Sequence, residues 1–219
     1  MSLHPPFETA KDALVRRCPI SVMAAEQRVA SVVRETKETA ISLDLDLDGG
    51  PIAIATDVRF LDHMLDAFAK HSGCGLTLRG RGDGMDHHHL VEDVGISLGT
   101  AIAQALGDKR GIARFGSLAV PLDDALVLGS VDLSGRAWSN VDVSFRVENL
   151  GDLKTELVPH FFRSVAENGR FNVHLVRLAG DNSHHLCEAA FKAFARSFAQ
   201  AKTRMGDASS VPSTKGVLA

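Results

Sequence analysis

The run Ile41-Ser-Leu-Asp-Leu-Asp-Leu47 alternates apolar and polar residues, the period-two pattern of a strand with one buried face, and Asp48-Gly49-Gly50 turns it. Residues 51–56 read as a second strand. Between 60 and 70 the period lengthens, and Phe60, Met64, Leu65 and Phe68 fall at helical spacing. A short strand follows at 76–78. A longer helix is predicted over 88–106, with Val91, Val94, Leu98 and Ile102 on one side and Gly107 as its stop. The second half runs through the same order: strands at 126–133 and 141–145, a helix over 153–165, a strand at 171–176 and a long helix over 184–201. A strands-helix-strand-helix unit used twice predicts an internally duplicated α/β (α+β) fold. Two sheets would pack with helices between or against them.

The half-domains are drawn at 28–113 and 114–219. Residues 1–27 lack sustained periodicity and carry Pro5, Pro6 and Pro19, so they are predicted to form an extension outside the fold. The polar tail, 209–219, is predicted to fray.

Composition narrows the classes. A chain of 219 residues with 45% hydrophobic content can bury a real core, as one domain or two small halves. A net charge of −3 gives no footprint for nucleic acid or an acidic membrane. No apolar stretch is long enough to span a bilayer, and the first residues lack the apolar run of a secretory signal. Cys18, Cys74 and Cys187 are scattered and odd in number, which points to a reducing, cytoplasmic setting.

The anomaly is histidine. There are ten, and two His-His-x-x-Glu segments, His88-His89-x-x-Glu92 and His184-His185-x-x-Glu188, stand at matching places in the two halves. On a helix, residues i and i+4 lie nearly above one another, while i+1 points about 100° around the axis. So His88 and Glu92 can share one ion, His184 and Glu188 another, and His89 and His185 must point elsewhere. If the two long helices face each other, each stray imidazole completes the other half's pair. Two ions are therefore expected. His63 and His174 stand well placed as further ligands, whereas His4 and His160 read as ordinary surface or core histidines. Imidazole with one carboxylate suits Zn, Mn, Fe, Co or Ni. A structural ion would favour cysteine and saturate its ligands, so these donors favour a catalytic site.

At this point the residues resemble a known family, imidazoleglycerol-phosphate dehydratase of histidine biosynthesis, in its single-function form. The likeness runs from Arg28 to the end through RETKET (34–39), FLDHM (60–64) with His71, DHHHLVED (86–93), GIARFG (111–116), PLDDAL (121–126), DLSGR (132–136), NSHHLCEAAFK (182–192) and PSTKG (212–216). The resemblance implies half-domains of the ribosomal protein S5 domain 2-like type around a central helical layer. It implies two Mn2+ ions, one held by His63, His88, Glu92 and His185, the other by His89, His174, His184 and Glu188. It also implies a shell of 24 subunits with sites at subunit contacts, where Ser213, Thr214 and Lys215 of the tail close over substrate.

The substrate so implied is D-erythro-imidazoleglycerol phosphate, dehydrated to imidazole-acetol phosphate through an imidazolate held between the two ions. Glu38 in RETKET matches a substrate-contacting glutamate and is the candidate acid/base; without the motif it would read as a solvent-facing strand carboxylate. Arg114, Arg136, Lys192, Ser213 and Lys215 are candidate phosphate donors, and His71 matches a position near substrate. The family's usual Asp-Asp-His-His-Thr appears here as Asp86-His87-His88-His89-Leu90. His87 is either a solvent-facing residue or a substitute hydrogen-bond partner. Two rivals stand beside this reading, a dinuclear metallohydrolase and a metal-storage or metal-sensing protein; the basic motifs argue against storage.

Overall fold

The structure is a computed structural model that describes residues 27–216 and 218; the extension expected over 1–27 lies, but for Gln27, outside the described residues. The first half contains β1 (Val29–Glu35), β2 (Thr39–Asp46), β3 (Ile52–Ala55), α1 (Arg59–Ser72), β4 (Gly75–Gly82) and α2 (His88–Leu106). The second repeats the order with β5 (Phe115–Leu122), β6 (Ala125–Asp132), β7 (Trp138–Asp142), α3 (Leu157–Gly169), β10 (Asn172–Ala179) and α4 (Ser183–Ala201). A small hairpin, β8 (Asn149–Leu150) with β9 (Leu153–Lys154), is inserted before α3. It explains why α3 starts at Leu157 and not at 153: Leu153 is paired in the hairpin, turned at Gly151 with φ 60°.

The sheets share one topology, β1-β2-β4-β3 and β5-β6-β10-β7. In each, the last pair is parallel and the others antiparallel. Along β2 the alternation is obeyed, with Ile41, Leu43 and Leu45 buried and Ala40, Ser42 and Asp44 outward. The edge strands β1 and β5 escape the sequence pattern, because exposed Val29, Val33 and Phe115 break the alternation that marks a half-buried strand.

The helices form the layer between the buried faces. α2 lies on β1 and β2, and α4 on β5 and β6. The pairing within the layer decides the chemistry: α2 packs along α3 and α4 along α1, so each half's first helix lies against the other half's second. Buried Phe68, Phe161, Phe162, Phe191, Phe194 and Phe198 fill the layer, with Phe68 stacked on Phe194 at 5.2 Å.

Two glycines permit this closeness. A Cβ on Gly99 would stand 2.4 Å from the Val165 carbonyl oxygen of α3, and one on Gly116 would stand 1.9 Å from the Ser197 oxygen of α4. Backbone cannot yield as a flexible side chain can. Gly116→Ala is expected to cost about 3 kcal/mol or more of unfolding free energy, read from denaturant titration of the purified variant.

The tail is not frayed throughout. Gly111 N–H donates to Ser210 O, Met205 N–H to Gly111 O, and Ile112 bridges Arg204, which lays the chain after α4 along the segment joining the halves. Among the described residues no helix is long and apolar enough to cross a membrane.

Candidate metal and substrate site

Each long helix is started so that its histidines are fixed. The Asn182 side chain accepts the backbone N–H groups of both His184 and His185 at the head of α4, and Asp86 Oδ1 accepts the His88 N–H at the head of α2. His87 is not idle: its Nδ1 lies 2.8 Å from the Asp152 carbonyl oxygen, while the Asp152 carboxylate accepts the N–H groups of Arg59 and Phe60 at the start of α1. The first turns of α1 and α2 are thereby tied to one hairpin.

Two groups of donor atoms result, each lying within 4.8 Å of one another: His63, His184 and Glu188, and His88, Glu92 and His160. This regroups the expected ligand sets. His63 of α1 joins the second cluster, because α1 packs on α4. His160 of α3, an ordinary histidine on sequence grounds, joins the first, because α3 packs on α2. The His88 and His160 rings stand 4.6 Å apart. His174 is in neither group. On β10 its neighbours Val173 and Leu175 point into the core, so strand alternation turns His174 to the outer face of the sheet.

The stray histidines also part from expectation. α2 and α4 are paired with α3 and α1 and not with each other, so within one chain neither imidazole completes the other half's pair. His185 Nδ1 lies 2.7 Å from Asp124 Oδ1, and His89 Nδ1 stands 3.5 Å from both Glu38 Oε2 and Asp83 Oδ2.

The donor chemistry suits a divalent cation. His160 Nε2 is buried and makes no hydrogen bond among the described residues, although Glu92 Oε1 stands 3.6 Å away. A buried, unbonded imidazole nitrogen facing a carboxylate is costly unless something draws on both. In the other group, Glu188 Oε1 takes a 2.7 Å bond from Lys192 Nζ, leaving Oε2 at 3.3 Å from His184 Nε2 and 3.5 Å from His63 Nε2. Burial pushes the Glu188 pKa up, but the Lys192 bond and charge, helped by His63, outweigh it and hold the carboxyl ionised below its ordinary value. Cys187, one residue before Glu188, is not in the ligand set. Its sulfur is in the core 4.0 Å from Met64 Sδ, and burial pushes the thiol far up.

Glu38 rides on the β1–β2 turn, and that turn has a seat that sequence reasoning missed. Asp93, buried on α2 beside Glu92, accepts Arg34 Nε–H at 2.8 Å on one oxygen and the Thr39 hydroxyl on the other. RETKET and DHHHLVED thus meet at one carboxylate; both motifs are visible in the chain, but not that they touch.

The phosphate candidates are placed unevenly. Lys192 adjoins the His63 group. His71 lies close by, and burial first, then the charges of Lys192 and Arg196, lower its pKa. Arg114 grips Asp132 with two nitrogens and gives a third to the Pro212 carbonyl, so it anchors the tail that carries Ser213, Thr214 and Lys215. Ser213 Oγ accepts the Lys215 N–H, and Arg136 is exposed on the turn before β7.

Comparison with known proteins follows the same line. A family profile described as Imidazoleglycerol-phosphate dehydratase matches residues 56–198. Imidazoleglycerol-phosphate dehydratase of Acidiphilium cryptum (strain JF-5) is 53% identical over 194 residues, covering 87% of this chain and 99% of that protein. The enzyme of the same name from Salinibacter ruber (strain DSM 13855 / M31) is 50% identical over 202 residues, covering 91% of this chain and 100% of that one. Among solved structures, the Staphylococcus aureus subsp. aureus N315 enzyme superposes with a TM-score of 0.74 at 36% identity, over 81% of this chain and 99% of that chain. IGPD from Pyrococcus furiosus, in complex with (S)-C348, gives 0.75 at 38% identity, over 85% and 100%.

Proposed function

The chain belongs to the imidazoleglycerol-phosphate dehydratase family, hydro-lyases of histidine biosynthesis, and on that premise we propose that it converts D-erythro-imidazoleglycerol phosphate to imidazole-acetol phosphate at sites holding two Mn2+ ions. The observation that carries this is the pair of donor groups, His63/His184/Glu188 and His88/Glu92/His160, which the duplication sets up twice. The donor set alone accepts several divalent transition metals; manganese rests on the family resemblance.

The chemical problem is that the proton to be removed has no carbonyl beside it. Ions held by His63, His184 and Glu188 and by His88, Glu92 and His160 would supply Lewis acidity to the substrate's imidazole, which favours the electron-rich ring needed to expel hydroxide. The protein's share is positioning and proton transfer. Glu38, on the turn seated on Asp93, takes the proton from the carbon next to the ring-bearing one, and the enol so formed tautomerises to the ketone. Lys192, Arg136, Ser213, Thr214 and Lys215 hold the phosphate, with Arg114 fixing the tail, and His71 lines the approach.

His89 and His185 point away from the donor groups of their own chain, and Glu38 goes with His89. That arrangement supports sites finished by a second copy, with His185 completing the His88/Glu92/His160 group and His89 the other. A closed shell of 24 copies accommodates such contacts.

The test combines metal analysis with product analysis. Purified protein supplied with imidazoleglycerol phosphate is expected to carry two ions per chain and to yield a phosphorylated ketone. Inorganic phosphate as the main product would replace this reading with that of a dinuclear hydrolase.

A further inference from the structure

We propose that Asp124 is a positioning residue that holds the His185 ring in the Nδ1–H tautomer, which leaves Nε2 for a cation, and that it is the second half's counterpart of Glu38. The inference rests on the reading above that His185 ligates an ion. Its own ground is the repeat. Glu38 is the residue immediately before β2, and Asp124 the residue immediately before β6, strands that hold the same place in the two sheets. Each carboxylate faces the Nδ1 atom of the second histidine in its half's pair.

The two contacts differ in kind. Asp124 Oδ1 lies 2.7 Å from His185 Nδ1, while its Oδ2 accepts the backbone N–H groups of Asp181 and Asn182 at 2.7 and 3.0 Å. Asn182 in turn caps α4 through the N–H groups of His184 and His185. Turn, loop and helix start are one bonded unit, with the ring held to it at Nδ1. An ionised carboxylate only accepts hydrogen bonds, so the ring proton belongs on Nδ1, at 2.7 Å from Asp124, and Nε2, which has only Asp123 Oδ2 at 3.5 Å, keeps its lone pair for a metal.

Glu38 stands 3.5 Å from His89 Nδ1, with its side chain 55% exposed, too loosely held to fix a ring. Among the described residues its carboxylate carries no backbone bonds like those on Asp124 Oδ2, and one more methylene lets it reach outward. The duplication has thus given one hairpin position two roles: a short, bonded aspartate that sets a ligand, and a longer, loose glutamate left for substrate.

Asp124→Asn tests this. The amide oxygen can still accept the Asp181 and Asn182 N–H groups, but its NH2 then donates to Nδ1 and moves the ring proton to Nε2. Equilibrium dialysis against a Mn2+ series, with elemental analysis, reads affinity. One of the two ions is expected to bind about 10–100-fold more weakly, with the melting midpoint of the metal-free protein unchanged. His185→Ala should weaken the same ion, and adding Asp124→Asn to it should weaken binding no further. Two ions at full affinity in His185→Ala would sink the reading of His185 as a ligand, and this inference with it. Loss in His185→Ala but full affinity in Asp124→Asn would sink the role of Asp124 alone. Further loss in the double variant would make Asp124 a brace for the loop and overturn the proposal.

Discussion

His160→Ala is expected to remove one ion per chain and lower turnover by at least about a hundredfold, while His174→Ala leaves both ions in place. The magnitude follows from rank: partners that only orient a ligand are worth about 10–100-fold in affinity or activity, and His160 would be a ligand itself. The fold should survive. His160 Nε2 makes no hydrogen bond among the described residues, so no protein bond at that atom is lost with the ring. What is lost is the third donor beside His88 and Glu92. His174 is the proper control because it is also a histidine of the second half, but stands on the outer sheet face. Elemental analysis of both variants with turnover decides the matter. Full occupancy in His160→Ala, or an ion lost from His174→Ala, would restore the ligand sets expected from the sequence.

Much of that outcome is legible in the chain itself. His63 and His160 stand at corresponding places in the first helices of the two halves, as the His-His pairs do in the second. A duplication that promotes His63 to a ligand promotes His160 as well. Likewise, the alternation Val173-His174-Leu175 turns the imidazole away from the core. Periodicity does not say which helix lies against which. The apolar stripe of α2 would serve equally against α4 or α3, and only the assembled layer shows the choice of α3. The stray histidines do point away from their own pairs, as helical arithmetic requires, but their destination depends on that same choice.

Other gaps have the same origin in long-range contact. Nothing local in Arg34, Thr39 or Asp93 announces that two hydrogen bonds converge on one buried carboxylate. The solvent-facing alternative for His87 loses to a bond with Asp152, a residue far along the chain. The expectation of a frayed tail follows from polar composition, which is blind to backbone pairing with the segment around Gly111. Local pattern sets the type and order of the elements with a buried stripe or face; contacts between segments far apart in the chain have no local signature.

Glu38→Gln is the second variant with a large expected effect: turnover falls by about 10²–10⁴-fold with both ions retained. The substitution keeps shape and leaves the turn intact, since that turn is held by Thr36, Thr39 and Asp93 and not by the Glu38 side chain. It removes only the capacity to take up and release a proton. Retention of the ions is the sharper half of the expectation, because Glu38 belongs to neither donor group, although its oxygen stands 3.5 Å from His89. If the glutamate served to bind metal through His89, the variant would lose an ion and its activity would return at high Mn2+. If it serves as the acid/base, excess Mn2+ restores nothing. Turnover measured across a Mn2+ series therefore separates a proton carrier from a ligand's support, and rescue by the metal would remove Glu38 from the chemistry.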